Sequence, residues 1–387
     1  MPVPLPRPRL RPLLVLLTAA ALAGPAPALA QAAPPHGGDG LQRELDELVV
    51  APGGPPGVIA VLRRGPHTEV LRAGVSEVGT DRRPRPTDHM RIASAAKAFS
   101  GAVALSLVNR GQLGLDDTLA ERLPQLPAAW GAVTLRQLLN HTSGLPDYSD
   151  SAEFRRILQD DPHHVFESRC LLDFAAGEPL GFTPGSRYRY SNSDNIAVAL
   201  MAEAASGRRY EDLLRSAVYR PLGLHETSLP QGYLLPEPYL HGYAVQPPDA
   251  PEDVSTLFGA SGAWASGGIV STPRDLGTFI GAYAGGRLIS PPVRAQQLTF
   301  VDGASEPAGP GRNEAGLAIF RYTTRCGVVY GHTGNTAGYT QLAVGTPDGS
   351  RSLTFSVTTQ VNETGKPELL ARLRGVQEDF VCSLLRG

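Results

Sequence analysis

The sequence predicts an α/β protein of the α+β type: an antiparallel sheet flanked by terminal helices, with an inserted all-helical part. Three observations carry this reading. Two short β-like runs flank Arg64-Gly65-Pro66, three more follow one another beyond Gly327, and the residues between are helical in texture. The 387 residues exceed what one hydrophobic core normally serves. A composite is therefore expected, with 41–90 and 265–387 forming the sheet part and 91–264 the mainly helical part.

The elements follow in order. Arg7, Arg9 and Arg11 precede an apolar run from Leu13 to Leu22, and Ala28-Leu29-Ala30 supplies a small-x-small cleavage pattern. Residues 1–30 read as a signal peptide and 31–40 as a flexible lead-in, which implies a secreted protein. The apolar run is shorter than the roughly 18 residues of a membrane helix, so no membrane association is expected after cleavage. Leu41 to Val50 has helical spacing and stops at Pro52-Gly53-Gly54. Val58 to Leu62 and Val70 to Val75 make a hairpin. Ala95 to Val108 contains no proline and reads as a helix ending at Gly111. Leu113 to Leu222 alternates helices with loops, and Leu229 to Pro251, rich in Pro and Tyr, reads as long surface loops. Gly327 to Tyr330, Tyr339 to Val344 and Leu353 to Val357 are strands whose short connectors imply antiparallel pairing. Leu369, Leu373, Val376, Phe380 and Leu384 then form a helical stripe that another element must cover.

Composition narrows the function. A formal charge of −2 argues against a nucleic-acid or anionic-membrane partner. Three cysteines, Cys170, Cys326 and Cys382, allow at most one internal disulfide, which export would permit. No close Cys-x-x-Cys pair or helical His-x-x-x-His is present, so neither a metal nor another cofactor is expected. Cys170 is read as a buried inert thiol rather than a nucleophile.

The basic residues are uneven. Of 35, only Lys97 and Lys366 are lysines, and arginine cannot serve as a general base because it does not release its proton in a protein. Lysine can, when burial lowers its pKa. Ser94-Ala95-Ala96-Lys97 sets a hydroxyl and an amine three positions apart, on one helix face. If Ser94 opens the helix, its amide is free to face a cleft and stabilise an oxyanion. A serine capping an ordinary helix would show the same spacing. Tyr190-Ser191-Asn192 follows a Pro184-Gly185 turn and adds a phenol able to shuttle a proton and an amide that both donates and accepts. His332-Thr333-Gly334 follows the Gly327 strand, where Gly334 lets another chain come close.

In that order, Ser-x-x-Lys, Tyr-x-Asn and His-Thr-Gly make the sequence resemble the serine β-lactamases and penicillin-binding D-alanyl-D-alanine carboxypeptidases. The branch it resembles most holds class C β-lactamases, soluble carboxypeptidases, D-aminopeptidases and esterases. Supporting stretches are Leu139 to Leu145, Phe182 to Gly185 and Ser266 to Thr272, and the resemblance runs from about Leu41 to Leu385. It implies a β-lactamase/transpeptidase-like fold and a Cys326–Cys382 disulfide. It further implies Ser94 as the acylated nucleophile, with Lys97 or Tyr190 as base. Asn192 would hold the substrate amide, and Thr333 and Gly334 the cleft strand. The amides of Ser94 and Asn335 would form the oxyanion hole, and His141 would be structural.

His332 stands where the wider family has lysine, and its charge would change near neutral pH. Carboxypeptidases of this branch hold the substrate carboxylate with an arginine on the preceding strand. Here that place falls on Phe320, with Arg321 its neighbour on the opposite face: either the register differs by one and Arg321 binds the substrate carboxylate, or the enzyme prefers a substrate without it. The expected function is a monomeric D-alanyl-D-alanine carboxypeptidase or related D-peptidase acting on wall peptides and acylated by β-lactams. An esterase, a class C-like β-lactamase and a non-catalytic wall-peptide binder are the alternatives.

Overall fold

The computed structural model describes residues 38–386, which pack as one compact unit. The expected signal peptide lies outside the described residues. Helix α1 (Gly38–Val50) begins three residues before Leu41, so the end of the expected flexible lead-in is helical. A hairpin follows, β1 (Gly57–Arg64) and β2 (His67–Gly74), with Arg64 opposite His67 across the predicted turn.

Helix α2 (Ala96–Asn109) carries the central apolar run, and it is buried from Ala96 to Leu107 on every side. Such a helix has no polar face and must be surrounded. It packs against α3 (Asn192–Ser206) and α4 (Pro273–Ala284), with Phe99 stacked on Phe279 at 3.6 Å. Truncating Phe99 to alanine would cost roughly 3–5 kcal/mol.

The C-terminal half supplies β3 (Val301–Asp302), β4 (Arg312–Ala315), β5 (Phe320–Thr324), β6 (Gly327–Thr336), β7 (Tyr339–Gly345) and β8 (Arg351–Val357). The result is one eight-stranded antiparallel sheet ordered β2-β1-β8-β7-β6-β5-β4-β3. Helix α5 (Pro367–Arg386) buries Leu369, Leu373, Val376, Phe380 and Leu384, the predicted stripe, and shares its core with α1 and one face of the sheet. A second apolar cluster joins α2, α3 and α4 to residues of the sheet, including Ile59, Val61 and Ala343. Sheet and helical parts therefore share a core across residues 90 and 264.

Two local expectations change. Leu229 to Pro251 is largely irregular, yet Leu235, Leu240, Tyr243 and Val245 are buried, because this segment tucks over Tyr339, whose hydroxyl donates to the Leu240 carbonyl at 2.7 Å. Cys170 is exposed rather than buried, since its 3₁₀ segment (Ser168–Ala175) turns Leu171 and Leu172 inward instead. Cys326 and Cys382 form the disulfide, tying the β5–β6 turn to α5. Among the described residues no helix is long and apolar enough to cross a membrane.

Candidate active site

Ser94 sits on a 3₁₀ turn (Ala93–Ala95) that leads into α2. Ala93 before it holds φ 48°, a left-handed conformation that costs roughly 1–2 kcal/mol for a residue with a Cβ. The turn is wedged against β6. A Cβ at Gly334 would stand 2.2 Å from the Ile92 carbonyl oxygen, so only glycine lets the strand and the turn approach this closely.

One helical turn on, Lys97 is buried, with 1% of its surface exposed. Its Nζ lies 3.2 Å from Ser94 Oγ, 2.7 Å from Asn192 Oδ1 and 2.8 Å from the Ser266 carbonyl. Burial pulls the amine down to about 7, against the opposing pull of Asp147, Glu306 and Asp194. Near neutral pH it therefore exists both with and without its extra proton.

Tyr190 stands over this pair, its ring centroid 4.9 Å from Lys97 Nζ. Among the described residues its buried hydroxyl finds no hydrogen-bond partner, and burial pushes the phenol well above its ordinary value, with Ser94 pulling the other way. The phenol stays protonated at neutral pH. The His141 ring supports it at 4.5 Å. His141 in turn meets Asp194 through Nδ1 at 2.7 Å, and the Ser143 hydroxyl donates to the same carboxyl. Burial lowers His141 to about 3 and raises Asp194 well above the carboxylate range, so a neutral imidazole supports the phenol.

Asn192 lines the cleft with Ser94, but its amide is already engaged. Oδ1 accepts from Lys97, while Nδ2 donates to Asp147 at 3.1 Å and Ser149 at 3.3 Å. It bridges Lys97 to Asp147 rather than presenting a free amide. Asn335 also borders the cleft on both sides of Ser94, with its side chain turned to Thr340 and the Val361 carbonyl.

His332 differs from the expectation. It lies within β6 rather than beyond the strand's end, 1% exposed, with Phe320 packed edge-on at 4.9 Å and Tyr190 at 6.4 Å. Nδ1 lies 2.6 Å from the Thr333 carbonyl. Burial, aided by Lys97 and His141, holds it at about 3, so it does not change charge near neutral pH. Thr333 is buried and donates to the Pro307 carbonyl at 2.7 Å. Among the described residues, strand β6 pairs only with β7 from His332 to Thr336, because β5 pairing stops at Gly331.

Arg321 is not brought to the site. It faces Glu314 across β4, donating from Nε at 2.7 Å and from the guanidinium tip at 2.5 Å, with Phe300 beneath it at 4.4 Å. Phe320 is buried on the other face, against His332. Neither reaches the cleft lined by Ser94, and the nearer Arg91 is committed to the Ser255 and Tyr233 carbonyls.

A match to the beta-lactamase family covers residues 43–377, most of the chain. The chain belongs to this family of serine hydrolases. A penicillin-binding protein of Bacillus subtilis is 31% identical over 213 residues, 52% of this chain and 46% of that one. The D-alanyl-D-alanine-carboxypeptidase/endopeptidase AmpH of Escherichia coli is 27% identical over 264 residues, 65% of this chain and 63% of its own. The chain thus spans less than two thirds of these curated relatives. A solved D-stereospecific amidohydrolase from Streptomyces superposes with a TM-score of 0.74 at 29% identity, covering 88% of this chain and 98% of that one. The family and the fold are those the sequence motifs implied.

Four contributors escaped the motif reading. Asp147, Asp194 and Glu306 are single acidic residues in loops or a first helical turn, where acids are ordinary. The fourth is a backbone carbonyl, at Ser266, which no side-chain pattern announces.

Proposed function

We propose that the protein is an exported, monomeric D-stereospecific serine amidohydrolase, cleaving amide bonds of D-amino acid derivatives or D-peptides through an acyl-enzyme. The observation carrying this is the contact between Ser94 Oγ and a sealed Lys97 amine held at about 7. Neutral Lys97 takes the Ser94 proton as Oγ bonds to the substrate carbonyl carbon, and the carbonyl oxygen gains the electron pair. The amides of Ser94 and Asn335 receive that oxyanion. As the C–N bond breaks, Tyr190 gives its proton to the departing amine and is reprotonated from Lys97. Water then attacks the ester by the same relay, restoring Ser94 and releasing the carboxylic acid. With its high pKa, Tyr190 acts as a relay and Lys97 as the base.

The activity for which the E. coli relative is named favours a second reading, a D-alanyl-D-alanine carboxypeptidase. That reading calls for a cation near the leaving residue's carboxylate, and Arg321 is committed elsewhere. Parallel assays of D-alanine release from a diacetyl-Lys-D-Ala-D-Ala peptide and ammonia release from D-phenylalaninamide separate the two. Faster turnover of the amide, absent with the L-enantiomer, is expected. Turnover of the tripeptide alone would replace this reading by the carboxypeptidase. Export is tested by recovering, from the medium of the producing cells, a chain that begins near Gln31.

A further inference from the structure

An apolar recess of about 230 Å³ opens beside Ser94, and two of its walls come from distant parts of the chain. That volume is below the ~300–1,000 Å³ of a whole ligand site, so it fits one side chain rather than an extended peptide. One wall is Phe154 and Leu158, a turn apart on the helix Ala152–Asp160. Phe154 is fixed by aromatic packing, edge-on to Tyr148 at 5.2 Å and Phe174 at 5.4 Å and tilted on Phe166 at 4.8 Å. The other wall is Val254, Phe258 and Gly259. Phe258 is only half-buried, so its place depends on the backbone that carries it.

Polar contacts hold that backbone. Before Phe258, Arg91 donates to the Ser255 carbonyl at 3.0 Å and to the Tyr233 carbonyl at 2.6 Å. After it, the Ala260 amide donates to the Gly232 carbonyl at 3.0 Å. Between these anchors comes His163, just beyond the helix that carries Phe154 and Leu158. Its Nε2 lies 3.0 Å from the Thr256 carbonyl, two residues before Phe258. A carbonyl only accepts, so Nε2 carries a hydrogen in the neutral and the charged ring alike. The same imidazole lies flat on Tyr233, with centroids 3.6 Å apart and planes within 2°. His163 is exposed and adds nothing to the apolar core, yet it ties the segment of one wall to the segment of the other.

We propose that His163 is a positioning residue that latches the two walls together, sets the width of the recess, and so makes the enzyme favour D-amino acid amides with a large apolar side chain over D-alaninamide. This rests on the reading of Ser94 as a nucleophile toward D-amides and adds what selects their side chain. With the latch closed, Phe258 waits in place and the substrate need not order its segment on binding. With the latch removed, that ordering opposes the binding of every side chain that fills the recess, whereas a methyl leaves the recess largely empty.

The test is the ratio of kcat/KM for D-phenylalaninamide to that for D-alaninamide. His163→Ala should lower this ratio about fivefold, chiefly by raising KM for the larger amide. His163→Gln keeps a donor for Thr256 and His163→Phe keeps the stack on Tyr233, and each should recover part of the ratio. Phe258→Ala should lower the ratio by itself and leave His163→Ala with no further effect on it. An unchanged ratio in His163→Ala, an equal loss of both amides, or a full His163→Ala effect in the Phe258→Ala background overturns the inference. If His163→Ala does not fold, the Gln and Phe variants carry the comparison, and a native ratio in both overturns it. For an enzyme that turns over neither amide, protection of Ser94 from benzylpenicillin by each amide gives the same ratio, and one unchanged by His163→Ala overturns it. Hydrolysis that survives Ser94→Ala would instead sink the nucleophile reading. Loss with Ser94→Ala, together with an unchanged ratio in His163→Ala, would sink this inference alone.

Discussion

Lys97 and Lys366 are the two lysines of the chain, and they lie in opposite settings. Lys97 is enclosed, with all three donor directions of its ammonium taken up by Ser94, Asn192 and the Ser266 carbonyl. Lys366 is half-buried at the start of α5, where it reaches the Gly53 carbonyl at 3.0 Å and Thr359 at 3.5 Å. Burial lowers both amines, but only Lys97 is brought to about 7. The same side chain is thus the proposed base in one place and a carbonyl cap in the other. What separates them is complete removal from water combined with a hydroxyl one helical turn away.

Substitution of Lys97 should cost the most. Lys97→Arg keeps the positive charge but cannot take up the Ser94 proton, so the acylation rate should fall by roughly 10²–10⁴-fold. Stopped-flow acylation by a chromogenic cephalosporin measures it, and a loss below fivefold would speak against Lys97 as base. Next comes Gly334→Ala. Its Cβ would meet the Ile92 carbonyl and push the Ser94 turn away from Lys97. A misplaced nucleophile should lower kcat about 10²-fold with a smaller change in KM.

The third effect concerns pH. Only the neutral amine can accept the proton, so kcat/KM should rise with pH through an inflection near 7 and fall about tenfold per pH unit below it. His332→Asn should leave the inflection in place, because His332 is held neutral down to about 3. The smallest effect belongs to Lys366→Arg, which should leave kcat/KM within about twofold and keep its inflection.

How much was legible in the sequence follows from how local each signal is. The β1–β2 hairpin, α2 and the stripe on α5 were readable because periodicity and turn residues lie within each segment. Strands β3 and β4, of two and four residues, were not, since so short a run carries no periodicity. Ser94 and Lys97 could be paired from spacing because a helix brings residues three apart together. The behaviour of His332 could not be read, for Phe320, Tyr190 and Lys97 come to it from three separate segments. Glu306 was hidden for the same reason. Its charge acts on Lys97 across a cleft that its own segment lines, and that segment is held by Tyr188, Thr333 and Glu363 from distant parts of the chain.

In the proposed reaction Ser94, driven by Lys97, forms the covalent intermediate. Peptide mapping by mass spectrometry after acid quenching of the enzyme with benzylpenicillin tests it most directly. An adduct on the peptide carrying Ser94, absent in Ser94→Ala and strongly delayed in Lys97→Arg, is the predicted result. An adduct on another residue, or a Ser94→Ala enzyme that still hydrolyses its amide at the native rate, would contradict it.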